Sequence, residues 1–185
     1  MSKTRVTALL AVTALALATT GCTGRSGAWQ AGRPGGPASA QAEPEPAANT
    51  VTILGSGDML LHPDLWAQGR ADNGGTCCDF RPLLASVKEV VSSADLAICH
   101  METPLAPAGG PFSGFPRFSV PPQIVPALAD LGYDSCSTAS NHTIDQNEAG
   151  VARTLDAFDA AGIKHAGSYR TKADHDTITM LDVHG

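Results

Sequence analysis

From residue 50 onward, apolar positions fall alternately into short runs and helical stripes. Residues 51–54, 96–99 and 135–139 are short apolar runs bounded by turn formers, and they read as strands of a buried sheet. Residues 163–166 and 177–183 read as two more. Across residues 80–93, Phe80, Leu83, Leu84, Val87, Val90 and Val91 share one helical face. Ile124, Val125, Leu128 and Leu131 mark a second helix, stopped by Gly132 at the usual C-terminal glycine position. A third, over about residues 148–161, turns Val151, Leu155 and Phe158 inward and ends at Gly162. Strands separated by helical stretches imply βαβ units, so the expected fold is α/β with a mainly parallel sheet. No internal repeat is present. The last apolar run leads straight into His184-Gly185 without a closing element, and the domain reads as cut before its natural end.

The first 49 residues follow a different pattern. Residues 1–21 have a basic start (Lys3, Arg5), an apolar stretch over 6–18 and a small-residue site before Cys22. That stretch is too short for a membrane span, which needs about 20 apolar residues, and suits a secretory signal. Gly21-Cys22 resembles a bacterial lipoprotein cleavage site, with Thr19 where Leu is commoner. Lipidation at Cys22 would anchor the protein to the outer face of the cytoplasmic membrane; an unlipidated Cys22 would leave it secreted. Residues 22–49 are rich in Gly, Ala and Pro without apolar periodicity, which describes a disordered tether. Residues 50–185 then form one domain. The net charge of −6 and the lack of a basic cluster argue against nucleic acid as a partner.

Export permits disulfides among Cys77, Cys78, Cys99 and Cys136, with three complete pairings open. A bond between the neighbours Cys77 and Cys78 is disfavoured, because bridged Cα atoms usually stand about 4.4–6.8 Å apart. Cys99 and Cys136 are expected on neighbouring strands near the site, bonded or simply buried.

Three of the expected strands run into residues that suit a cation: Gly57-Asp58 with His62, His100-Met101-Glu102, and Asn141-His142. In open parallel sheets ligands bind beyond the carboxyl ends of the strands, so these loops should converge on one rim. Asp58 could hold a cation or cap a helix beginning at Pro63. Glu102, directed by the extended geometry that Pro104 imposes on Thr103, could bridge two ions or be a surface residue beside a turn. In Asn141-His142, one side chain can coordinate while the other orients or protonates a substrate. Asp145-Gln146-Asn147-Glu148 has the capping-box form, so Asp145 is expected to cap the third helix, the alternative being a supporting place at the site like that of His100. His100 is expected to donate from behind the site, and His165 and His175 to be ordinary surface residues.

Taken in order, Gly57-Asp58, Met101-Glu102-Thr103-Pro104-Leu105 and Ser140-Asn141-His142-Thr143-Ile144-Asp145 resemble the CapA family of poly-γ-glutamate capsule synthesis proteins. That family is similar in fold to the calcineurin-like metallophosphoesterases. The resemblance covers residues 51–185. It implies the N-terminal half of an αββα sandwich, with Asp58, Glu102, Asn141, His142 and His62 as ligands of up to two divalent metal ions and His142 as the catalytic group. His100 stands where the family frequently has Asn. The implied role is synthesis, export or attachment of an anionic polymer such as poly-γ-glutamate, together with other capsule machinery. The negative net charge opposes such a partner unless metal or a local basic patch intervenes. The alternatives are a metal-dependent, phosphoesterase-like hydrolase and a metal-free surface binding module. Five candidate ligands are few for two ions, so the 185 residues alone are expected to bind metal weakly and to catalyse nothing measurable.

Overall fold

A computed structural model describes residues 50–184. The expected signal segment, Cys22 and the tether lie outside the described residues. The fold is built on four parallel strands, β1 (Ile53–Asp58), β2 (Leu96–His100), β3 (Ser135–Ser137) and β4 (Lys164–Ala166), lying side by side in chain order. Helices fill the crossovers: α1 (Pro63–Asp72), α2 (Arg81–Leu84) and α3 (Lys88–Ser92) between β1 and β2, α4 (Ile124–Leu131) before β3, and α5 (Asn147–Ala161) before β4. The short α6 (Lys172–His175) follows β4. The expected α/β fold with a parallel sheet is therefore present.

Alternation along β2 explains the layering. Ala97 and Cys99 are fully buried and join Val91, Leu128, Leu131, Cys136, Phe158 and Ile163 in one core. The intervening Leu96, Ile98 and His100 are half-buried. Two longer helices end alike. Gly132 (φ 94°) and Gly162 (φ 75°) adopt the left-handed conformation that a side chain disfavours. The next residues, Tyr133 and Ile163, donate their N–H groups back to Leu128 and Phe158 and bury their own side chains. This double closure satisfies carbonyls that a helix end would otherwise leave bare.

Three expectations on the elements fail. The single helix over residues 80–93 is instead α2, a 3-10 turn (Ala85–Val87) and α3. The tighter turn rotates the apolar stripe, so Phe80 and Val91 are buried while Leu83, Val87 and Val90 are exposed. Residues 177–183 form no strand; α6 ends just before them, and Ile178 and Met180 are exposed. One tie on this segment runs from the Thr179 hydroxyl to the His165 carbonyl, which is no substitute for a paired neighbour. Cys77 and Cys78 are bonded to each other, against expectation, in the irregular segment between α1 and α2.

The other bond joins Cys99 to Cys136, which are register partners on β2 and β3 with Cα atoms 4.4 Å apart. Both are buried, and each precedes by a few residues a loop at the carboxyl rim.

Candidate functional site at the carboxyl ends of the strands

β1 runs four residues further than its apolar run, so Asp58 is the last residue of the strand and lies in register with His100 of β2. The helix-cap alternative for Asp58 falls, because α1 begins after His62, with Pro63 in its first turn. His100 reaches both neighbours. Its Nδ1 hydrogen-bonds the Ser137 hydroxyl on β3, and its Nε2 lies 3.8 Å from Asp58 Oδ1. Asp58 remains largely exposed, with 60% of its side chain in solvent.

Glu102 is placed differently. Two residues past β2, it is only 9% exposed, and its Oε2 is buried without a hydrogen-bond partner. With Thr138, Thr143, Thr154 and Ser168 it lines a small cavity. A buried carboxylate oxygen with nothing to accept from is costly, so this position favours a cation or a strong donor as its complement. The neighbouring Thr103 hydroxyl is spent on the Met59 carbonyl, 3.3 Å away, which ties this loop to the end of β1.

The third loop follows β3. The Thr143 hydroxyl donates to the Thr138 carbonyl (2.6 Å) and accepts from the Ser140 N–H (2.8 Å), closing a compact turn around Asn141 and His142. Asn141 Oδ1 accepts from the Ser140 hydroxyl. His142 Nδ1 is 2.7 Å from Asp145 Oδ2, and the same oxygen accepts the Phe118 N–H at 2.7 Å. The capping role expected of Asp145 is therefore overturned: the residue before α5 is Gln146, and no side chain caps that end. The carboxylate is engaged by a loop 27 residues away, a contact that the local capping pattern does not encode.

That loop, residues 104–121, is the part of the site sequence reasoning missed. It is pinned by Leu105 N–H to the Thr154 hydroxyl, Val120 N–H to the Pro104 carbonyl, and Gln146 Nε2 to the Phe118 carbonyl. Phe118 is buried and meets two histidine rings edge-on, His142 at 4.7 Å and His62 at 5.5 Å between centroids. His62 thus adjoins His142 through Phe118. Arg117 binds the Asp145 carbonyl through Nε and Nη2. One signal pointed to this loop: a lone Arg-Phe pair inside a Pro/Gly-rich stretch.

The segment after β4 backs the His142 turn. Gly167 has φ +115°, and a side chain there would lie 2.7 Å from the Ala139 nitrogen. Ser168 meets the Thr138 hydroxyl through both its own hydroxyl and its N–H. Beyond, Arg170 gathers Asp156, Asp159 and Asp174. Its hydrogen bond holds the Asp159 carboxyl below the ordinary carboxylate range, assisted by His165. His165 is accordingly half-buried and paired with Asp159, whereas His175 is exposed beside Asp176.

The three loops share the rim, yet among the described residues no three His, Cys, Asp or Glu side chains stand close enough together to hold a metal ion. Glu102 has the chemistry of a ligand and lacks a partner. Asp58, His100 and His142 each have a protein contact already.

The chain matches a family model described as bacterial capsule synthesis protein over residues 52–185. It is 25% identical to the uncharacterized protein y4sH of Sinorhizobium fredii over 138 residues, covering 71% of this chain and 27% of that protein. It is 27% identical to the uncharacterized protein y4uA of the same organism over 108 residues, covering 55% of this chain and 23% of that protein. The chain therefore spans about a quarter of the length of these curated relatives. The family is metallophosphoesterase-like, in agreement with the four-stranded parallel sheet and its rim of strand-end loops. With its match running through all three loops to the end of the described fold, the chain belongs to the bacterial capsule synthesis protein family.

Proposed function

We propose that this chain serves capsule synthesis outside the cell, as a lipid-anchored protein acting in the synthesis, export or attachment of an anionic polymer such as poly-γ-glutamate. Its family membership supports the capsule role. The export signal and Gly21-Cys22 support the anchor. In this reading the carboxyl rim is the working centre, and Glu102 contributes its free Oε2 to a divalent cation. Asp58 and His142 lie on the adjoining strand end and loop, and Asn141 and His62 beside them. The observation that carries the reading is the buried, partnerless Glu102 oxygen at that rim. Further ligands are required to complete the coordination. Such an ion would also offset the repulsion between an acidic protein and an acidic polymer.

A strain lacking the full-length gene should lose surface polymer and regain it on complementation. Unchanged polymer in the deletion strain would refute the capsule role. Cys22→Ser should release the protein from membranes; retention at high salt would refute the lipid anchor.

A second reading, metal-assisted hydrolysis of a phosphoester or amide, is favoured by His142, a histidine anchored at one nitrogen by Asp145. A phosphodiester screen on the metal-loaded full-length protein tests it. Activity that survives both Glu102→Gln and His142→Ala would place the chemistry elsewhere.

A further inference from the structure

We infer that Arg117, with Phe115 beside it, forms a subsite for a carboxylate on a short aliphatic arm, of the kind an acidic polymer carries along its length. The inference rests on the proposed reading of the rim as the working centre and names a second point at which that centre holds its ligand.

The charge of Arg117 is not answered within the fold. Arg81 and Arg170 are paired with aspartates, whereas Arg117 forms no ion pair among the described residues. It gives Nε (3.2 Å) and Nη2 (2.7 Å) to a neutral group, the Asp145 carbonyl. The Asp145 carboxylate is occupied elsewhere, its Oδ2 held by the Phe118 N–H and His142. Nε and Nη2 make up one edge of the guanidinium. Bonding along that edge fixes the plane of the group and leaves the Nη1–Nη2 edge facing no acceptor among the described residues. A planar fork held in this way matches the two oxygens of a carboxylate.

The hairpin that carries Phe115 and Arg117 is braced from two helices. Ser113 and Ser119 exchange both backbone hydrogen bonds at 2.9 Å, and the Ser113 hydroxyl donates to the Arg117 carbonyl at 2.7 Å. Phe112 meets Trp66 of α1 edge-on, and a side chain at Gly114 would stand 3.1 Å from the Pro63 ring. Gln146, at the foot of α5, donates to the Phe118 carbonyl at 2.9 Å. A hairpin ordered in advance loses little entropy when a ligand arrives.

Around the tip, Ser113, Phe115, Pro116, Arg117 and Gln146 line an open cavity of about 500 Å3. Its composition selects the ligand. Arg117 supplies the charge of the lining, which matches one negative charge; a phosphate dianion would call for a second cation. Phe115, 77% exposed, and Pro116 give an apolar wall beside the guanidinium, which suits methylene groups. A carboxylate on a short aliphatic arm presents both features. The next residue, Phe118, touches the rings of His142 and His62, so the subsite adjoins the rim. It also gives an acidic ligand a point of attraction on a chain whose net charge of −6 opposes it.

The test is isothermal titration of the metal-free, full-length protein with an oligomer of γ-linked glutamate, with its uncharged α-carboxamide analogue and with inorganic phosphate. Wild type should bind the acidic oligomer, more weakly as salt rises, and in preference to the other two. Arg117→Gln should weaken this binding at least about 10-fold, the worth of a hydrogen bond to a charged group. Because that change also frees the Asp145 carbonyl, Phe115→Asp is the second variant: it keeps the brace and sets a carboxylate against the guanidinium. It should weaken binding by as much, with Phe115→Asn closer to wild type, and this pair decides if Arg117→Gln does not fold. Equal affinity in wild type and Phe115→Asp would overturn the inference, as would equal binding of the carboxamide analogue or tighter binding of phosphate. Wild type that binds the oligomer only with added Mn2+, or not at all, would overturn it too. The capsule role is tested separately by the deletion strain, so polymer lost there with oligomer affinity unchanged in Phe115→Asp would sink the subsite alone.

Discussion

Glu102→Leu should stabilise the metal-free protein, contrary to the usual effect of altering a buried residue. Glu102 is 9% exposed, and its Oε2 is buried with no donor opposite it. A stranded buried acceptor costs about 1–3 kcal/mol, and more when charged. Leu fills a similar volume beside Val151 and Pro104 without presenting that acceptor. For a folded unit of about 135 residues, an unfolding entropy of about 2.1 cal/mol/K per residue makes 1 kcal/mol worth roughly 3–4 °C in Tm. The variant should therefore melt about 4–10 °C above wild type in the presence of a chelator. Divalent cation reverses the order. A cation held through Glu102 at a concentration 100 times its Kd would add about 2.7 kcal/mol to wild type and nothing to the variant. Differential scanning calorimetry of both proteins, with chelator and with Mn2+, gives all four values. A variant less stable than wild type in chelator would show that Oε2 has a partner in the folded protein. That result would refute the reasoning from its burial.

Gly167→Ala should cost at least about 1–3 kcal/mol, from the φ of +115° together with a 2.7 Å approach to the Ala139 nitrogen, and should shift the NMR signals of His142. Wild-type stability and signals would show that the β4 segment does not support this turn. Replacing Cys99 and Cys136 together by Ala opens a loop with a sequence separation of 37, worth about 4 kcal/mol in the chain-entropy model, and urea unfolding should move accordingly. An unchanged midpoint would argue against the bond. Arg170→Gln should destabilise the protein at neutral pH, with a gap that closes in acid. The Arg170 hydrogen bond depresses the folded-state pKa of Asp159, so this contribution is complete above the unfolded value of about 3.9 and is lost as pH falls through the lower folded value. A gap independent of pH throughout the acid range would refute that assignment.

What could be read in the sequence was the part set by local periodicity and strong stop signals. Helix α4, with Ile124, Val125, Leu128 and Leu131 on one face and Gly132 as its stop, needed no tertiary information. Neither did the parallel order, which follows from the alternation of strands and helices. The 80–93 stretch failed because Leu83, Val87 and Val90 look like a helical face on a uniform 3.6-residue period. The 3-10 turn at Ala85–Val87 breaks that period. Residues 177–183 failed for the reason that strands are a property of pairs: an apolar run without a partner remains irregular. At the site, the residue types beyond β1, β2 and β3 were legible, but their partners were not. Asp145 looks like a cap from its four-residue context, and its commitment to Phe118 and His142 depends on a loop folding back over 27 residues. The His100–Ser137 contact likewise required the register of β2 against β3.

The most direct test of the rim as the working centre of a capsule synthesis protein is the surface polymer made by a deletion strain that carries the full-length protein with Glu102→Gln. The substitution keeps the shape of the side chain and removes its charge. The account predicts normal protein level, normal membrane attachment and loss of the polymer. Polymer restored to the wild-type amount would contradict it.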